Sequence, residues 1–183
     1  ATVRFATGGE YGVHATPAAS GTPEVWLLGS SDYSAQLAAH IGLPYVFANH
    51  FSGEGLERAL EIYRKGFQPS EWLAEPATFL TINAVAAPTT EEALARALPQ
   101  LRAMARLRSN KPMMALETIE QAQAAQAAEP DAATEELIER MRSRWLVGDA
   151  ATVAAELRAF AARFGVSEVM VSPVSGSYAE EPL

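Results

Sequence analysis

Apolar positions along this chain change their spacing at regular intervals. Val25 to Leu28 is a short apolar run after Pro23, broken by Gly29-Ser30-Ser31. Leu37, Ala38 and Ile41 then fall on one helical face, Gly42 can end that helix and Pro44 prevents its continuation. Tyr45-Val46-Phe47 opens a second apolar run. Residues 25–51 thus predict strand, turn, helix and strand, a βαβ unit of the kind that builds parallel sheets with sites at the carboxyl ends of strands.

The alternation continues. Leu56, Leu60, Tyr63 and Phe67 recur at helical spacing, and Thr78 to Val85 reads as a third strand ended by Pro88. Thr89, with Glu92 three residues on, is a capping-box signature for a helix carrying Leu94, Leu98, Leu101 and then Met104 or Leu107, kinked by Pro99. Residues 109–134 are rich in Ala, Gln and Glu and read as part helix, part insertion, either an exposed spacer or a lid. Glu135 to Trp145 is predicted helical. Asp149 is an N-cap candidate for a helix with Val153, Leu157, Phe160 and Phe164 on one face and Gly165 at its end. Val169 to Val174 is the last predicted strand. Residues 1–23 read as an irregular lead-in with a short strand near Val3–Ala6, and the whole of 1–183 as a single domain.

Composition narrows the function. At 183 residues and nearly half apolar, the chain can bury a core of its own. The net charge of −8 and the lack of a Lys/Arg stripe argue against nucleic acid. No apolar run approaches the roughly 20 residues of a membrane span. The absence of cysteine excludes disulfides, thiolate metal sites and a thiol nucleophile, and fits a reducing cytoplasm. There is no HExxH, P-loop, GxSxG or dinucleotide fingerprint, and nothing supports a metal site.

The chemistry-bearing positions cluster after strands. Gly29-Ser30-Ser31 opens a helix, where backbone N–H groups and the macrodipole favour an anion; the same Ser31 would serve as a plain N-cap. Asn49 and His50 follow the second strand, facing a cavity or bonding a loop. Asn83 interrupts an apolar strand, pointing to a ligand or to a bond with a neighbouring strand. Ser172 and Ser175 sit at the end of the last strand. His14 and His40 are weaker candidates, and Gly148-Asp149 reads mainly as a cap. No catalytic residue is assigned beyond His50 as a candidate.

The stretch WLLGSS…SAQLAA…GLPYVFANHF, followed in order by NAVAAPTTEEA at 83–93, WLVGDAATVAAEL at 145–157 and VSEVMVSPV at 166–174, resembles the flavin-dependent luciferase-like monooxygenases. The resemblance implies an α/β fold, a partial (β/α)8 TIM-type barrel comprising roughly strands five to eight. A complete barrel typically takes about 250 residues. The resemblance also implies reduced FMN, supplied by a reductase, acting with oxygen on an organic substrate. Gly29, Ser30 and Ser31 would hold the FMN phosphate, and Asn49, His50, Asn83 and Ser172 would line the cavity. A deazaflavin-dependent oxidoreductase and a non-catalytic barrel subunit are the alternatives. The missing amino-terminal half or a second chain would complete the barrel, in a homo- or hetero-oligomer, since four barrel strands alone leave two open edges.

Overall fold

In the computed structural model the described residues are 2–12, 16–17, 20–21, 23–51, 53–128 and 131–173. His14, Ser175 and the end of the last predicted strand, Val174, lie outside them. Within the stretch read as an irregular lead-in, β1 (Thr2–Arg4) and β2 (Glu10–Gly12) pair as an antiparallel hairpin.

The βαβ unit forms where the apolar pattern places it. β3 (Leu27–Gly29) is followed by α1 (Asp32–Ile41) and β4 (Tyr45–Phe47), and the two strands are parallel, with Gly29 opposite Phe47. α1 ends at Gly42, whose φ of 69° is left-handed and suits a residue without a Cβ. α2 (Leu56–Gly66) buries Leu56, Ala59, Leu60 and Tyr63, much of the face read from the sequence.

β5 (Leu80–Ala87) leads into α3 (Thr90–Arg108), capped by Thr89, whose hydroxyl accepts from Glu92 N–H. Pro99 lies inside this helix. α4 (Ile119–Ala128) and α5 (Ala132–Arg142) follow, then a strand that the pattern did not reveal, β6 (Leu146–Asp149). Asp149 caps α6 (Ala150–Phe164), and β7 (Val169–Pro173) closes the described chain. β5 is the centre of a parallel sheet ordered β6-β5-β7. No helix among the described residues is long and apolar enough to cross a membrane.

Two expectations need correction. The four anticipated strands do run parallel within their sheets, yet they divide into two: β3-β4, and β6-β5-β7. The junction is made by other bonds. Tyr45 N–H donates to Ala77 O at 3.1 Å, and Thr81 Oγ1 donates to Phe47 O at 3.0 Å. Second, α1 does not bury Leu37 and Ile41, which are exposed; it buries Ala35, Ala38 and Ala39. The small residues let α1 and α2 approach closely, with the Cβ of Ala39 3.6 Å from where a Cβ on Gly66 would stand.

The core has two parts. One joins α1, α2, β4 and the start of β5, with Phe164 of α6. The other joins the far end of β5, through Val85 and Ala87, to α3 and α5. Apolar residues remain exposed on or beside the outer strands: Val25 and Leu28 at β3, Met170 and Val171 in β7.

Candidate functional site

Parallel pairing brings two of the predicted clusters to the same edge. Residues 29–31 leave the carboxyl end of β3 and residues 48–50 leave that of β4, and Ala48 N–H donates to Gly29 O at 2.8 Å. Below the first turn, Ser31 N-caps α1: its hydroxyl accepts from Ser34 N–H, while Ser34 Oγ accepts in turn from Ser31 N–H. Ser34 Oγ also donates to Ser31 O at 2.7 Å and lies 3.1 Å from the hydroxyl of buried Tyr45. Burial pushes the Tyr45 phenol pKa up; the Ser34 bond opposes that, and the Asp32 carboxylate adds to it.

Gly29 is required by this packing. A Cβ there would stand 2.3 Å from both Cβ and Oγ of Ser34. Its missing side chain makes room for the helix and not for a ligand. The Asp32 carboxylate, which would repel an anion at the helix N-terminus, pairs with Arg58 at 2.6 Å. Ser30 is exposed on the turn.

The second cluster is tied down by β5. Asn49 Nδ2 donates to Thr81 O at 2.8 Å and Asn83 Nδ2 donates to His50 O at 2.7 Å. Thr81 Oγ1 accepts from His50 N–H at 3.3 Å and lies 3.0 Å from His50 Nδ1. Asn49, His50 and Asn83 are therefore assembled as one group. Both amide nitrogens are engaged with backbone carbonyls, that of Asn83 with a carbonyl in the turn after β4. Ser172 stands opposite Asn83 in the β5-β7 ladder. Sequence reasoning missed Thr81, the residue that joins the group. Its signal was a polar side chain two positions before Asn83, which in a strand means the same face. Ser34 and Tyr45 were missed for want of any local signal. His40 sits exposed in the last turn of α1.

A small cavity of about 20 Å³ lies beside His50, bounded also by Phe51, Met104, Arg108 and Trp145. A wider cleft of about 520 Å³ runs past Asn49, Ile82, Leu146 and Phe160.

The family profile described as luciferase-like monooxygenase matches residues 3–168. The chain belongs to the luciferase-like monooxygenase family. An uncharacterized Bacillus subtilis (strain 168) protein, YceB, is 36% identical over 164 residues, covering 87% of this chain and 47% of that protein. An Escherichia coli (strain K12) luciferase-like monooxygenase is 52% identical over 69 residues, 38% of this chain and 21% of the relative. Among solved structures, apo-MsnO8 superposes with a TM-score of 0.74 at 28% identity, over 88% of this chain and 48% of its own. The oxygenating constituent of 3,6-diketocamphane monooxygenase from Pseudomonas putida, solved with FMN, has a TM-score of 0.52 at 19% identity over 85% of this chain and 43% of its own, a likeness of fold alone. The fold is thus part of a luciferase-like α/β barrel. This luciferase-like chain spans less than half the length of the curated relatives it matches.

Proposed function

We propose that this chain supplies one half of the active site of a flavin-dependent monooxygenase, in which reduced FMN from a reductase and oxygen act on an organic substrate. The observation that carries the proposal is the shared edge: the Gly29-Ser30-Ser31 turn and the Asn49-His50 segment meet through the Ala48–Gly29 bond, at the carboxyl ends of parallel strands, where barrel enzymes place their sites. Ser30 and the first-turn N–H groups of α1 would hold the FMN phosphate. His50 and Ser172 would line the cavity, with Asn49 and Asn83 setting its wall. The flavin supplies the oxidative chemistry when bound. The chain's own part is to anchor, orient and exclude water. A deazaflavin in place of FMN would use the same anion turn.

The partner in this reading is the other half of a barrel, from the same polypeptide or a second chain, covering the exposed Val25, Leu28, Met170 and Val171. Cytoplasmic residence and an oligomeric assembly belong to the same proposal. A non-catalytic barrel subunit is the second reading. It is favoured by the commitment of Ser31, Asn49 and Asn83 to internal bonds.

The experiment is an FMN fluorescence titration of the chain, alone and within a full-length barrel, with Ser31→Ala and Ser31→Asp. Asp caps helices as well as Ser, so Ser31→Asp keeps the fold while setting a carboxylate against the phosphate. Flavin affinity should fall more in Ser31→Asp than in Ser31→Ala, with melting temperatures in the opposite order. Equal affinity in all three proteins would exclude the turn as the phosphate site. No FMN binding even in the complete barrel would favour the subunit reading.

A further inference from the structure

We propose that Thr81 holds the His50 imidazole in its Nδ1-protonated form, so that Nε2 is presented as a bare acceptor for an N–H or O–H group of a bound molecule. A threonine hydroxyl has one proton and two lone pairs. The Thr81 proton is directed at Phe47 O, 3.0 Å away. What remains at Oγ1 is acceptor capacity, and among the described residues both donors that reach it belong to His50: the backbone N–H at 3.3 Å and ring Nδ1 at 3.0 Å. For Nδ1 to bond an oxygen that has given its proton elsewhere, Nδ1 must carry a proton. In the neutral ring Nε2 is then the lone-pair nitrogen.

The grip on His50 extends to its backbone. Its backbone carbonyl accepts from Asn83 Nδ2 at 2.7 Å, so N–H, C=O and ring are each held by one of two residues, Thr81 and Asn83, on a single face of β5. Thr81 is fully buried, which denies water the chance to substitute for it. The nearby cations are directed elsewhere, Arg108 to Phe51 O and Arg144 to Glu54. Thr81 is a positioning residue: it acts through His50 by fixing which ring nitrogen carries the proton. The bare nitrogen welcomes a neutral donor and repels a carbonyl or an anion. That the donor belongs to a flavin or its substrate rests on the function proposed above; the tautomer does not.

Long-range proton–nitrogen NMR correlation on the ¹⁵N-labelled chain tests this without any flavin present. The sequence has three histidines, and His50→Gln identifies the third signal. In mildly alkaline buffer, where ordinary imidazoles are neutral, His50 should show a protonated Nδ1 and an unprotonated Nε2. This is the reverse of the tautomer favoured by a solvated histidine side chain. Thr81→Ser should preserve the pattern, and Thr81→Val should abolish it. A protonated Nε2 in the unaltered chain would mean that Thr81 donates to the ring and that Phe47 O is served by Asn49 N–H alone; that overturns the proposal even if Thr81→Val fails to fold. An unchanged pattern in Thr81→Val would overturn it as well.

Discussion

Tyr63 and Ala77 exchange hydrogen bonds in both directions: the phenol accepts from Ala77 N–H at 3.1 Å and donates toward Ala77 O at 3.1 Å, sharing its proton with Leu43 O at 3.0 Å. Tyr63 is fully buried on α2, Leu43 leads into β4 and Ala77 leads into β5. One hydroxyl therefore joins three segments at the seam between the two parallel sheets. Burial raises the phenol's pKa, with the Ala77 bond opposing.

Tyr63→Phe keeps the ring and strands the backbone groups. An unsatisfied buried partner costs about 1–3 kcal/mol, and urea denaturation should show a loss of that size with an unchanged slope. A loss below about 0.5 kcal/mol, well under the cost of one such group, would mean that water replaces the hydroxyl.

The seam was not legible from the sequence because it depends on contacts between residues far apart in the chain. What could be read was local: the caps at Ser31, Thr89 and Asp149 and the glycine stops at Gly42 and Gly165. The helix faces were read less well, and for a common reason. In α3 the fully buried stripe is Ala93, Ala97, Leu101 and Ala105, while Leu94 and Leu107 are exposed. In α1 it is again alanine. Large apolar residues attract attention in a pattern, whereas close helix contacts select small ones. β6 was hidden because Leu146–Asp149 is only four residues long and runs into a cap. Of the candidate positions, Asn49, His50 and Asn83 were singled out from the sequence, whereas Thr81, which joins them, was not.

Gly29 offers a test of how the anion turn is built. Gly29→Ala would place a methyl 2.3 Å from Ser34 Cβ and Oγ. Overpacking of this kind costs about 1–3 kcal/mol. Ser34→Gly removes both clashing atoms, at about 1 kcal/mol for glycine in a helix and with loss of the Oγ bonds to Ser31 and Tyr45. The double variant should be more stable than the sum of the single effects predicts, and a double-mutant cycle measures that coupling. Simple additivity would show that the turn relaxes away from α1.

The stretch between α3 and α4 is tied to α3 by an ion pair. Arg102 on α3 donates from Nε and Nη2 to the two carboxylate oxygens of Glu117, at 2.7 and 3.2 Å, with side chains only 15% and 23% exposed. Arg102→Met should leave Glu117 without its partner and speed amide exchange in residues 109–118, with little change elsewhere. Limited proteolysis should cut there first. Uniform exchange across the protein would mean that the pair supports the whole fold and not this segment.

Stability should fall in acid through the helix caps, with a sign that can be worked out at Asp149. Its carboxylate accepts from Thr152 N–H and Ala151 N–H at 3.0 Å and from the Thr152 hydroxyl at 2.8 Å. These bonds, those from Thr152 foremost, hold its pKa below the ordinary aspartate value. Asp131, bonded by the Thr134 hydroxyl and backbone, is lowered in the same way. A group whose folded pKa is depressed adds stability above its unfolded pKa of about 4. That stability is lost as pH falls through the folded value, because protonation is then easier in the unfolded chain. Urea midpoints should therefore drop between neutral and strongly acid pH. Asp149→Asn retains a good cap but has no proton to bind, so its midpoint should stay near that of the parent at neutral pH and decline less steeply in acid. Parallel acid slopes for the two proteins would show that the Asp149 charge is equally stabilised in the unfolded chain.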